Sequence, residues 1–278
     1  MSTALVLGGG GVAGIAWELG VIDALANAGV DLTGADRIVG TSAGAAVGAQ
    51  LRTGESLDSL CARQLVPAEQ TAELQVESSL DALIEQFAAC FDGAPDEIEV
   101  RRRLGGVALG APTVEERARL AVIESRLSSH EWSENELLVT AVDAQTGEFN
   151  VFDRHSGVSL VSAVAASCAV PGIWPPVTIS NSRFIDGGVR SGTNADLAEG
   201  CDIVVIIAPF AGGFGPTVEV EAAALRERGA IVEVIAADDR STEAFGTNVL
   251  DPATRGPSLR EGRRQGAIEV ERIAKVWL

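Results

Sequence analysis

The residues best suited to chemistry lie in two glycine-rich turns near the N-terminus. Gly40-Thr41-Ser42-Ala43-Gly44 matches Gly-x-Ser-x-Gly, a sharp strand-to-helix turn that pushes a serine hydroxyl clear of the backbone and leaves it open to attack a carbonyl. Upstream, Gly8-Gly9-Gly10-Gly11-Val12-Ala13-Gly14 places several backbone N–H groups at a helix start, where they can hold a developing negative charge. Each turn follows a short apolar, β-branched stretch, Leu5-Val6-Leu7 in one case and Arg37-Ile38-Val39 in the other. A nucleophile and an anion cradle on neighbouring strands predict acyl transfer. The competing reading of Ser42 is an ordinary helix cap. The small-residue run Ala45 to Leu51, able to pack tightly behind the turn, favours the nucleophile.

A serine nucleophile needs a group to take its proton, by default a histidine oriented by an acid. The chain has two histidines, His130 and His155. Both sit in polar turns that read as solvent-exposed, and both precede Asp186, against the order Ser, acid, His of an α/β-hydrolase. Asp186 follows an apolar strand and precedes Gly187 and Gly188, which allow a sharp turn and a close approach by another segment. Read alone this is an Asp-Gly turn. Partial burial would raise the proton affinity of the carboxylate enough for a Ser-Asp dyad, with the glycine loop as oxyanion hole.

The elements that must position these groups follow from periodicity. Strands are expected at Leu5–Leu7, Arg37–Val39, Leu137–Val142, Phe149–Phe152, Phe184–Ile185, Ile203–Ile207 and Ile231–Ile235, the last two reading as buried on both faces. Helices are expected at Val12–Ala28, Leu160–Cys168, Val218–Arg228 and Ser258–Val276. From Glu55 to about Glu136 the pattern is helical, with Leu80, Leu83, Ile84 and Phe87 at helix spacing and again Leu120, Ile123 and Leu127. This predicts an α/β fold, a three-layer sandwich with a mostly parallel central sheet, and one domain over 1–278 with a helical, cap-like insertion at about 55–136. Helices flanking one sheet face are the alternative for that insertion.

Composition narrows the partners. Among 278 residues, 46% hydrophobic content is ample for a core, and 21 Lys and Arg against 39 Asp and Glu leave a formal charge of −18. That charge disfavours nucleic acid and an anionic bilayer, so lipid contact must rest on apolar surface and be transient. Cys61, Cys90, Cys168 and Cys201 lack metal-site or disulfide spacing, which predicts reduced thiols, no metal and no cofactor. The first residues have no basic region and too short an apolar run for a signal peptide, and no stretch reaches the ~18 apolar residues of a membrane span. A soluble, cytoplasmic protein is expected, at most peripheral to a membrane, its oligomeric state open.

Taken in order, Gly9-x-Gly11-x-x-Gly14, Gly40-Thr41-Ser42-Ala43-Gly44 and Asp186-Gly187-Gly188 resemble the patatin-like phospholipase family, as does the run Ala165–Pro171 followed by Pro175-Pro176. The likeness runs from about Leu5 to Asn194. It implies Ser42 as nucleophile, Asp186 as general base and the amides of Gly9, Gly10 and Gly11 as oxyanion hole. Gly14, Gly40, Gly44, Gly187 and Gly188 would support the turns. The implied activity is hydrolysis of carboxylic esters of lipids: phospholipid, lysophospholipid or acylglycerol. Many family members carry Arg where this chain has Ala13, which bears on phospholipid preference more than on hydrolysis. Two rivals remain. Gly-x-Gly-x-x-Gly with Asp31, 20 residues after Gly11, also fits a dinucleotide-binding fold, although Asp31 precedes the second strand instead of ending it. The other is a catalytically silent, regulatory member of the same family.

Overall fold

The structure, a computed structural model, describes residues 1–74 and 80–278. Residues 75–79, inside the stretch expected to be helical, lie outside the described residues, as do the side chains of 80–84. The strands are β1 (Thr3–Leu7), β2 (Arg37–Gly40), β3 (Glu136–Asp143), β4 (Phe149–Phe152), β5 (Val177–Ile179), β6 (Ser182–Asp186), β7 (Ile203–Ala208) and β8 (Ile231–Ala236). The helices are α1 (Gly11–Asn27), α2 (Ala43–Arg52), α3 (Leu57–Gln64), α4 (Leu80–Phe91), α5 (Glu97–Gly110), α6 (Glu116–Arg126), α7 (Leu160–Ser167), α8 (Val218–Glu227), α9 (Asp239–Phe245) and α10 (Arg255–Trp277). Among the described residues between α2 and β3 there are helices and turns but no strand.

One sheet runs β5-β6-β3-β2-β1-β7-β8, with β4 paired to β3. The five strands from β3 to β8 are parallel, and the β4, β5 and β6 pairings are antiparallel. Strand alternation sorts the core into layers. Leu5, Leu7, Ile38, Val205 and Ile207 face α1, α2, α7 and α10. Ala4, Val6, Val39, Val204 and Ile206 face α8 and the turn at 195–198. Further along the second face, Val142 and Ile185 pack on Leu104 and Ala108 of α5. The fold is therefore a mixed α/β sheet between two helical layers.

β8 corrects the expected doubly buried strand. It is the sheet edge, and its first residue, Ile231, is 48% exposed. Continuous β-branched character does not separate a covered edge from an interior strand. After Pro175 and Pro176 the chain forms β5 and a tight hairpin to β6, and neither β5 nor α9 has a counterpart in the expectation.

β3 is the strand that places the site. Gly40 pairs with Val139 and Asp186 with Ala141, while β4 takes the opposite edge of β3. β2 and β6 thus share one edge of β3, so the Asp186 end of β6 stands directly beyond the end of β2.

Candidate active site

β1 and β2 run parallel with Leu7 level with Gly40, so the two glycine turns leave the sheet side by side. Backbone bonds lock them together: the Thr41 amide donates to Leu7 O at 3.1 Å, and the Gly44 amide to Gly8 O at 2.9 Å. A Cβ on Gly44 would collide with the Leu7 carbonyl, so only glycine permits this approach.

Ser42 stands at the start of α2 with φ 53° and ψ −111°, a conformation that L-residues avoid and that is held here by its surroundings. Its amide donates to the Ser167 hydroxyl at 2.9 Å, and its carbonyl accepts from the Cys168 thiol at 3.2 Å. Its own hydroxyl caps nothing on α2. The helix-cap reading of Ser42 therefore has no hydrogen bond to support it.

Asp186 ends β6 with 4% of its surface exposed. Its Oδ1 accepts from the Gly188 amide at 2.7 Å, which turns the chain inward. A Cβ on Gly187 would collide with the Thr140 hydroxyl. Burial pushes the Asp186 carboxyl up to about 7, against the Gly188 amide, the Ser42 hydroxyl and the Arg119 charge, which all favour the ionised form. The strand register brings the ends of β2 and β6 that carry Ser42 and Asp186 to the same part of one edge of β3. His130 and His155 are both exposed and take no part in this arrangement.

The glycine loop separates its three amides. Gly9 N–H donates to Gly192 O at 2.9 Å and is engaged, whereas the Gly10 and Gly11 amides have no backbone acceptor among the described residues. Gly11 has φ +62°, and a Cβ there would meet Val249 O at 2.7 Å. Gly10 lies against Pro209, and Gly14 packs on Pro209 and Ala43. Ala13 is buried, its amide donating to Val249 O at 3.1 Å.

Beneath these turns lies a polar network that the sequence reading missed. Asn194 is fully buried in a left-handed conformation, and its Nδ2 donates to Thr41 Oγ1 at 3.0 Å, Ser191 O at 2.9 Å and Gly187 O at 3.3 Å. Thr41 and Thr140 share a hydroxyl contact of 3.0 Å. The serine turn, β3 and the Asp-Gly-Gly turn are in this way fastened to one amide. An Asn at the end of the recognised stretch was the available signal. Also missed were Arg119 and Trp174, which with Ser42, Gly11, Cys168 and Leu250 line a cavity of about 20 Å³, room for one water and not for an acyl chain. Asp31 accepts from the amide and hydroxyl of Thr33 in a local turn, at 2.8 and 2.6 Å, ahead of β2, whereas the glycine loop follows the far end of the parallel β1.

The family model described as patatin-like phospholipase matches residues 5–199. Among curated proteins no match was found. Similar solved structures include VipD from Legionella pneumophila, 14% identical with a TM-score of 0.45, covering 98% of this chain and 67% of that one. The type III effector ExoU is 16% identical, with a TM-score of 0.43 and coverage of 98% and 53%. ExoU in complex with SpcU, from Pseudomonas aeruginosa, gives 16%, a TM-score of 0.41 and coverage of 98% and 52%. The chain spans about half the length of the ExoU chains it matches.

Proposed function

The chain belongs to the patatin-like phospholipase family, and on that premise we propose that it is a serine acyl hydrolase acting on carboxylic esters of lipids through Ser42 and Asp186. The observation that carries this reading is one juxtaposition: a serine forced into a positive-φ elbow beside a buried carboxyl that ionises near pH 7.

In the proposed reaction the Ser42 hydroxyl attacks the ester carbonyl while Asp186 takes its proton. A carboxyl titrating near the working pH is suited to that transfer in both directions. The tetrahedral oxyanion is held by the free amides of Gly10 and Gly11, while Gly9 braces the loop through Gly192. Asp186 then passes its proton to the departing alcohol, leaving an acyl ester on Ser42. Water attacks that ester with Asp186 again as base, which releases the acid and restores the serine. Gly14, Gly40, Gly44, Gly187 and Gly188 keep the three turns in contact. The helical stretch at about 55–136 is read as a cover over the site within one domain, since Arg119 and Arg126 of α6 wall the cavity at Ser42. Phospholipid, lysophospholipid and acylglycerol are the substrate classes, met at a membrane surface by transient contact. Among the described residues no helix is long and apolar enough to cross a membrane.

The test is labelling by a fluorophosphonate, which reacts with an activated serine, together with turnover of p-nitrophenyl esters of increasing chain length. Ser42→Ala should lose both, with turnover down at least about 10⁴-fold. The variant His130→Gln/His155→Gln should keep both. Retained turnover in purified Ser42→Ala, or a folded histidine variant without activity, overturns the assignment.

A further inference from the structure

Arg119 lies on α6 with only 4% of its surface exposed. Its guanidinium sits over the Trp174 ring, 3.9 Å from the centroid, a contact that orients the plane but supplies no acceptor. Nε and Nη1 are both buried and make no hydrogen bond among the described residues. Burial, then the charge of neighbouring Arg126, lowers its proton affinity to about 10, which leaves it cationic at neutral pH. A buried cation with unmet donors is unfavourable by itself and becomes favourable when an anion with oxygen acceptors joins it.

The location decides which anion. Arg119 shares with Ser42 a cavity that holds one water as it stands, so an anion reaching the guanidinium lies beside the serine and has to widen that cavity to enter. Arg126 walls the same cavity and also an adjoining one of about 240 Å³ that carries Arg63 and Arg255. Glu73 is the acid common to both cavities, and it is taken up by Arg126 through two bonds of 2.8 and 2.6 Å. A chain with a net charge of −18 thus concentrates arginine at this one place.

We infer that Arg119, backed by Arg126, is the subsite for the anionic phosphodiester of a phospholipid whose acyl ester lies at Ser42. The inference rests on the acyl-hydrolase reading above. The guanidinium is a fixed planar donor set suited to phosphate oxygens, and Trp174 keeps it from folding away. Glu73 competes for the same cations.

The experiment compares kcat/KM on short-chain phosphatidylglycerol and on the diacylglycerol with the same chains, at a pH where Asp186 is ionised. Arg119→Gln should lower the phosphatidylglycerol value about 10- to 100-fold more than the diacylglycerol value, chiefly through KM. Arg119→Lys should recover part of the difference. Glu73→Gln should lower KM for phosphatidylglycerol, a gain that misfolding cannot produce. Equal losses on both substrates in Arg119→Gln would show that Arg119 acts only through Asp186 or packing, and would overturn the subsite. If the unaltered enzyme cleaves neither lipid and resists fluorophosphonate, the hydrolase reading fails separately. Binding then decides the subsite. Phosphatidylglycerol should raise the Tm of Ser42→Ala and not that of Ser42→Ala/Arg119→Gln, while inorganic phosphate alone should raise neither. A Tm rise from inorganic phosphate equal to that from the lipid would assign a free-phosphate site and overturn the headgroup.

Discussion

Asp186 is held where water would stabilise its charge far better than the protein does, and that penalty is what suits it to accept a proton near neutral pH. Two consequences have opposite signs. On the proposed mechanism the ionised carboxylate is the working form, so kcat/KM should rise with pH through about 7 and level off above it. A profile flat from pH 5 to 9 would remove Asp186 as the base. Stability should move the other way. Between the ordinary carboxyl value of 3.8 and the folded value of about 7, the folded protein binds one more proton than the unfolded chain. Stability therefore falls as pH rises through that window and is level above it. Asp186→Asn removes the buried charge and keeps an oxygen for the Gly188 amide. It should be nearly inactive yet more stable than the parent above about pH 7, by up to about 4 kcal/mol at about 1.4 kcal/mol per pH unit, with the gain shrinking toward about pH 4. Urea melts at the two pH values check this. Ser42, Asp186 and the glycine loop were legible because each lies in a contiguous run whose local backbone demands are written in its neighbours. Arg119, Asn194 and Ser167 were not. They reach the site across the fold, as the 125-residue separation of Ser42 and Ser167 shows, and nothing local marks a polar residue that will be buried.

The glycine loop and the α1–α10 pair illustrate how elements set these distances. Gly11→Ala should both strain a φ of +62° and press on Val249 O, and Gly10→Ala should press on Pro209, so each re-aims an amide proposed to hold the oxyanion. Loss of one such donor lowers turnover by about 10²- to 10³-fold. Steady-state kcat in the two folded variants is the measure, and full kcat in both would give the loop another role. Behind it, α10 crosses α1 where Gly262 meets the Trp17 carbonyl and Gly20 meets the Leu259 carbonyl, too near for any Cβ. Gly262→Val should cost about 1–3 kcal/mol, read from the urea midpoint, because backbone must part to admit the side chain. The crossing is pinned further by Trp17 Nε1 donating to Ser241 Oγ at 3.0 Å, with Gln265 accepting from that hydroxyl at 2.9 Å. Long periodic elements such as α10 were readable from spacing. β5, with three residues, is too short to show a period, and α9, whose sequence is mostly polar, owes its place to the Asp238 cap and to Phe245 buried against Trp17.

At the scale of the whole molecule, charge pulls in two directions. The sequence showed the surplus of 18 negative charges but not that Arg119 and Arg126 are gathered at the serine, since composition carries no position. The acidic surface repels an anionic bilayer over roughly a Debye length, about 10 Å at 0.1 M salt and about 3 Å at 1 M. The proposed phosphodiester contact at Arg119 is buried and screened much less. Approach and recognition should therefore separate with ionic strength. On phosphatidylglycerol vesicles, raising salt from about 0.02 to about 0.5 M should increase the rate, because it relieves repulsion during encounter while leaving the buried guanidinium effective. On zwitterionic phosphatidylcholine vesicles, which present little net charge to the protein surface, the same change should leave the rate nearly level. Initial rates by pH-stat on the two vesicle types provide the measurement. A rate on the anionic vesicles that falls with salt would mean that a cationic face, and not apolar surface, brings the enzyme to the bilayer, which would overturn the expectation of transient apolar contact drawn from the net charge.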